Sequence, residues 1–138
     1  MEGGELVSLV LVSHSRKLAE GLQEMVEQVA GPEVRVTVAA GTEDGRLGTS
    51  APAITEAIRM VDDGHGVLVL IDLGSAALSA DLALEDLEPA QRERVRISAA
   101  PFVEGAILAA VEATLGSDLD AVAAAAARAF DLPKLPQD

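Results

Sequence analysis

Glu-Leu-Val-Ser-Leu-Val-Leu-Val-Ser-His-Ser-Arg, residues 5–16, decides how this chain is read. Leu6 to Val12 is an apolar, β-branched run of the kind that makes a strand buried on both faces. It ends abruptly at Ser13-His14-Ser15-Arg16, and a helical pattern begins at once. A histidine at such a handover stands at the carboxyl edge of an α/β sheet, where these folds bind and transform ligands.

Working outward, the chain repeats that alternation. Leu18, Leu22, Met25, Val26 and Val29 follow helical spacing until Gly31-Pro32. Val34 to Ala40 reads as a second strand, followed by a Gly-rich loop from Gly41 to Ser50. The end of that loop supplies hydroxyl caps for a helix whose stripe is Ile54, Ile58 and Val61. Val67 to Ile71 is a third strand, closed by Asp72-Leu73-Gly74-Ser75. A helix is expected from Ser75 to about Leu87, ended by Pro89, and a fourth strand over Arg94 to Ala99. Two helices complete the pattern, one carrying Val103, Ile107, Ala110 and Val111, the other Leu119, Val122, Ala126 and Phe130. Residues 5–131 thus read as a single domain, and Leu132 to Asp138, with two prolines, as a flexible tail.

Apolar strands alternating with helices imply an α/β fold: a four-stranded parallel sheet with helices on both faces. Right-handed crossovers favour strand order 2-1-3-4, with the switch point between the first and third strands. His14 closes one of those strands and Asp72 the other, so the two side chains are expected to meet.

Composition narrows the function. Apolar residues make up 49% of the 138, yet aromatics are two Phe with no Trp or Tyr. The core must be aliphatic and alanine-rich, with closely packed helices. Without stacking platforms, and with a net charge of −13, nucleic acid is an unsuitable partner. The chain has no Cys, which excludes thiolate chemistry and fits a reducing cytoplasm. The acidic start, Met1-Glu2-Gly3-Gly4, is not that of a signal peptide, and no stretch reaches transmembrane length.

At the crevice, Asp72 would accept a proton from one ring nitrogen of His14 and leave the other free to attack. Backbone N–H groups at Gly74 and Ser75 favour an anion there. Ser13, Ser15, Thr42 and Ser75 add hydroxyls, and Arg16 a charge-assisted donor. This set suits a phosphoryl group held on a histidine, with no metal. Blander readings exist: Asp72 as a cap for its own helix, and the Gly41–Gly48 loop as an ordinary connection. That loop has no Lys and is no P-loop. His65, before the third strand, belongs to the opposite edge and reads as a surface residue.

Leu-Val-Ser-His-Ser, Ala-Ala-Gly-Thr at 39–42, Gly48-Thr49, Leu-Ile-Asp-Leu-Gly-Ser-Ala at 70–76 and Ala-Ala-Pro-Phe-Val-Glu-Gly at 99–105 carry a family resemblance. Together they resemble the phosphocarrier subunits of PEP-dependent dihydroxyacetone kinases, whose fold is that of mannose-type IIA domains of the phosphotransferase system. The resemblance implies a cytoplasmic homodimer with no tightly bound cofactor. His14 would accept a transient phosphoryl group from the phosphohistidine of HPr. It would then pass the group to ADP on the kinase's nucleotide-binding subunit, and thence to dihydroxyacetone. Asp72 matches the aspartate that pairs with the family's histidine; Gly41, Thr42, Gly48 and Thr49 match its loop. Glu104 lies in a matching block without an evident chemical role. Because the chain ends at 138, phosphate would come from a separate HPr and Enzyme I.

Three other classes are weighed against this, one of them a non-catalytic interaction module, with which the charge of −13 is compatible but unspecific. A receiver-like regulator would be phosphorylated on Asp72, but needs an acidic pair where this chain has Ser13-His14-Ser15. A small tetrapyrrole metal chelatase would share the histidine after the first strand, but wants a second one at the same edge.

Overall fold

The computed structural model describes residues 5–136; residues 1–4, which carry the acidic start, and the last two of the tail lie outside it. Four strands, β1 (Ser8–Ser13), β2 (Val36–Ala40), β3 (Val67–Ile71) and β4 (Val95–Ser98), form one sheet. Every pairing is parallel and the order is β2-β1-β3-β4, as the crossover argument requires. The first, second and fourth strands start one or two residues later than the apolar runs suggest, and Leu6, Val7 and Val34 are buried ahead of the paired ladder.

The strands sort their own two faces. In β1 and β3, Leu9, Leu11, Leu68 and Leu70 point one way, and Val10, Val12, Val67 and Val69 the other. All eight are fully buried, each stabilising the fold by about 1.5–3 kcal/mol relative to exposure. The leucine face is covered by α1 (Arg16–Ala30), α5 (Phe102–Thr114) and α6 (Leu119–Ala127). The valine face is covered by α2 (Ala51–Val61) and α3 (Ala77–Glu85). Alanine makes the close packing possible, with Ala106, Ala109, Ala110 and Ala113 of α5 all fully buried. At Gly105 an added Cβ would lie 2.8 Å from that of Ala100, so α5 tolerates no side chain there.

Several helical stripes differ from the periodic reading. α1 buries Ala19, Leu22, Val26 and Ala30, while Leu18, Met25 and Val29 are about half exposed. Val103 and Val111 of α5 are also exposed, as is Phe130, which falls in a 3-10 turn after α6. The inner positions went to small residues, because the helices lie too close to the sheet for larger ones. The helix expected from Ser75 to Leu87 is instead a 3-10 turn (Gly74–Ala76) running into α3, and Pro89 opens the short α4 (Pro89–Arg92). Proline at a first helical position sacrifices no intrahelical hydrogen bond.

Candidate functional site

β1 and β3 lie side by side with Val12 opposite Ile71, so the residues that follow them leave the sheet together. The Asp72 N–H donates to Val12 O at 3.1 Å, extending the ladder one step. Asp72 and His14 are thereby brought into contact from 58 residues apart.

Asp72 uses both carboxylate oxygens. Oδ2 accepts the His14 backbone N–H at 2.9 Å and the Ser13 hydroxyl at 3.0 Å. Oδ1 lies 3.0 Å from His14 Nδ1 and accepts the Leu73 N–H at 2.8 Å. Burial pushes the Asp72 carboxyl up, but the bonds from the His14 backbone, its ring and Ser13 outweigh this and hold it below the ordinary value. An ionised carboxylate only accepts, so Nδ1 carries the ring proton and Nε2 keeps its lone pair. Nε2 faces the Ser75 hydroxyl at 3.0 Å. The imidazole is 26% exposed and the carboxylate 8%, so a reactive nitrogen sits at the surface over a buried anion.

The remaining expected residues divide by position. Ser13 is fully buried, and its Oγ also accepts the Ser15 N–H at 3.0 Å, so it orients Asp72 and does not reach outward. Ser15 caps α1 by accepting from Leu18 N. Arg16 donates to Ala40 O at 2.9 Å, across the end of β2. Thr42 bonds Asp44 and the Arg46 backbone within its own turn. Gly74 opens the 3-10 turn that carries Ser75.

The glycine-rich loop is fastened to the site through its backbone. Gly41 N–H donates to Ser13 O at 3.1 Å and Gly48 N–H to His14 O at 2.9 Å. Gly48 has φ of +144°, and a Cβ there would meet Thr42 Cγ2 at 2.8 Å. Thr49 Oγ1 lies 2.7 Å from Ser79 Oγ of α3, tying the loop to the far wall. Ser79 was not among the expected residues; its one sequence signal is a second hydroxyl one helical turn after Ser75. Arg16, Lys17 and Arg46, together with Glu20, line a hollow of about 530 Å³ between the start of α1 and the glycine-rich loop.

Two residues lie away from this site. His65 is exposed at the opposite edge of the sheet, its Nδ1 3.1 Å from Asp63, so no second histidine joins this site. Glu104 pairs with Lys134 at 2.9 Å, and Leu132 lines a small cleft with Met25, Val103 and Ile107. Among the described residues no cluster of three His, Asp or Glu could hold a metal ion, and no helix is long and apolar enough to cross a membrane.

A family described as the PTS system fructose IIA component, EIIA-man, matches residues 8–123. The chain belongs to that family. It is 43% identical over 117 residues to the phosphoryl donor subunit DhaM of PEP-dependent dihydroxyacetone kinase 2 from Listeria innocua, covering 85% of this chain and 94% of that one. It is 46% and 45% identical to the DhaM subunits of Pantoea ananatis and Escherichia coli, again over 85% of this chain. The chain spans a quarter of the length of those two relatives. The crystal structure of the unknown-function protein EF1359 is 38% identical and superposes with a TM-score of 0.78, over 92% of this chain and 94% of that one. Within EIIA-man, then, this chain is of the kind found in dihydroxyacetone kinase donor subunits.

Proposed function

We propose that this chain is a cytoplasmic, homodimeric phosphohistidine carrier that takes a phosphoryl group from HPr on Nε2 of His14. It passes the group to ADP on the nucleotide-binding subunit of a dihydroxyacetone kinase, so that dihydroxyacetone is phosphorylated at the expense of phosphoenolpyruvate. The observation that carries the reading is the clamped imidazole: Nδ1 held by Asp72 at 3.0 Å, Nε2 outward beside Ser75. The relatives' role as phosphoryl donor subunits supports it.

In the first step the Nε2 lone pair attacks the phosphorus of the donor's phosphohistidine, and the P–N bond electrons leave with the donor's imidazole. The imidazolium charge that develops on His14 is stabilised by the carboxylate at Nδ1. Ser75 Oγ, facing Nε2 before transfer, turns its O–H to a phosphoryl oxygen afterwards. In the second step an oxygen of the ADP terminal phosphate attacks the same phosphorus and the His14 ring leaves, its lone pair restored.

The test is labelling with radioactive phosphoenolpyruvate, Enzyme I and HPr. The expected product carries phosphate that survives alkali and is lost in mild acid, and His14→Ala takes up none. Label that persists in His14→Gln, is lost in hydroxylamine and vanishes in Asp72→Asn would instead identify an acyl phosphate on Asp72.

A further inference from the structure

Three consecutive residues at the end of the glycine-rich loop each fasten a different element. The Gly48 N–H donates to the His14 carbonyl at 2.9 Å. The Thr49 hydroxyl lies 2.7 Å from that of Ser79 on α3, and Ser50 caps α2 through the Ala53 N–H at 3.3 Å. The loop ahead of them is closed on itself, with the Thr42 N–H donating to the Arg46 carbonyl at 2.9 Å and the Arg46 N–H to Thr42 Oγ1 at 3.1 Å.

The middle anchor completes a circuit around the histidine. From the His14 carbonyl the circuit runs through Gly48 and Thr49 to Ser79. Ser79 stands one helical turn after Ser75, whose hydroxyl lies 3.0 Å from His14 Nε2. The path thus leaves the histidine at its backbone and returns at its reactive nitrogen. Asp72 holds the same residue from the other side, at the backbone N–H and at Nδ1.

The stretch that carries Ser75 has need of an outside anchor. Helices α1, α2 and α6 begin on side-chain caps, from Ser15, Ser50 and Asp118. Among the described residues, neither the 3-10 turn at Gly74 nor α3 begins on one. Thr55 secures the far half of α3 by donating to the Ala83 carbonyl at 3.1 Å. Thr49 secures the half beside the site. Both hydroxyls of that bond are half-buried, where water competes, so its consequence is geometric more than energetic.

We propose that Thr49 and Ser79 are positioning residues for phosphoryl transfer, holding Ser75 where its hydroxyl serves His14 before and after the group arrives. The inference rests on the phosphocarrier reading above. With Nδ1 protonated, the Ser75 O–H donates to the Nε2 lone pair. That lone pair then bonds to phosphorus, and the electrons of the old P–N bond leave with the donor's nitrogen. The Ser75 hydroxyl has lost its acceptor and turns to a phosphoryl oxygen. One fixed Oγ must therefore reach two successive partners, and a displacement of about 1 Å costs as much as ~10²-fold in rate.

The experiment follows phosphorylation of the full chain by two donors, phosphorylated HPr and phosphoramidate, a small molecule whose leaving group is ammonia. Ser79→Ala and Thr49→Val should each lower kcat with HPr, and the labelling rate with phosphoramidate, by about tenfold. KM for HPr should stay near that of the wild type. Alanine is the better helix former, so Ser79→Ala should keep the wild-type unfolding temperature. Thr49→Ser, which retains the hydroxyl, should recover most of the rate. In a Ser75→Ala background, Ser79→Ala should cause no further loss, because both act through one hydroxyl. A full additional loss in that background would overturn the proposal and mark a merely structural bond, as would wild-type rates in both single variants. A loss confined to HPr would overturn it in favour of a contact with the donor. If phosphoramidate labels the wild type and HPr does not, the phosphocarrier reading falls, while the phosphoramidate rates still decide the role of the pair. If neither labels it, both fall.

Discussion

Asp72 grips His14 twice, at the backbone N–H with one oxygen (2.9 Å) and at ring Nδ1 with the other (3.0 Å). The aspartate thus sets both where the histidine stands and which nitrogen it offers. Ser13 steadies the grip from the buried side.

Asp72→Asn removes the charge while keeping the shape, so phosphorylation of His14 should slow by about 10²-fold or more, in the range of a lost acid–base partner. The phosphate that does form should remain acid-labile. Rapid-quench labelling with phosphorylated HPr reads both quantities.

The same carboxylate predicts a pH signature in stability. Its folded-state value lies below the ordinary one, so it contributes stability that is complete above about pH 3.9, its unfolded value. That contribution is lost as pH falls through the depressed folded value. The stability gap between wild type and Asp72→Asn should therefore close as pH falls below about 4. Asp62, also held low, by Arg94, Gln91 and Gly64 against its own burial, is common to both proteins and cancels. Urea titrations at several pH values measure the gap.

Gly48→Ala places a methyl group against Thr42 Cγ2 at a backbone angle that side chains rarely adopt. The expected cost is about 1–3 kcal/mol. Because the Gly48 N–H holds the His14 carbonyl, transfer should slow as well. Gly45→Ala, with open space around it, should show the backbone penalty without the loss of rate.

Asp62 closes the far end of the sheet. It receives Arg94 at 2.8 and 3.3 Å and Gln91 at 2.8 Å, with its side chain 2% exposed. Asp62→Asn should cost about 1.5–3 kcal/mol, the range for hydrogen bonds to a charged group, and leave the phosphorylation rate unchanged. Thermal unfolding and the labelling assay separate the two effects.

The sheet was legible because its strands are apolar runs ended by Gly, Ser or Asp, and the His14–Asp72 meeting followed from strand order. The helical stripes were less so. Hydrophobic spacing ranks Leu18, Met25 and Val29 above Ala19 and Ala30, whereas packing against a nearby sheet selects the smaller side chain. The loop's attachment was hidden for another reason. Gly48 and Gly41 act through backbone N–H groups, which every residue but proline possesses and no motif advertises. Ser79 took part through a partner thirty residues earlier, a distance no local pattern spans.

The two histidines stand at opposite edges of the sheet in a chain with two Phe rings and no Trp or Tyr. The aromatic proton spectrum is therefore nearly empty, and its imidazole lines belong to one reporter at the site and one far from it. His65 serves as an internal reference in the same tube. Resonances of His14 can be followed through charging and discharge without isotope labels, mutations or an attached dye, and a change shared by both rings marks a bulk effect.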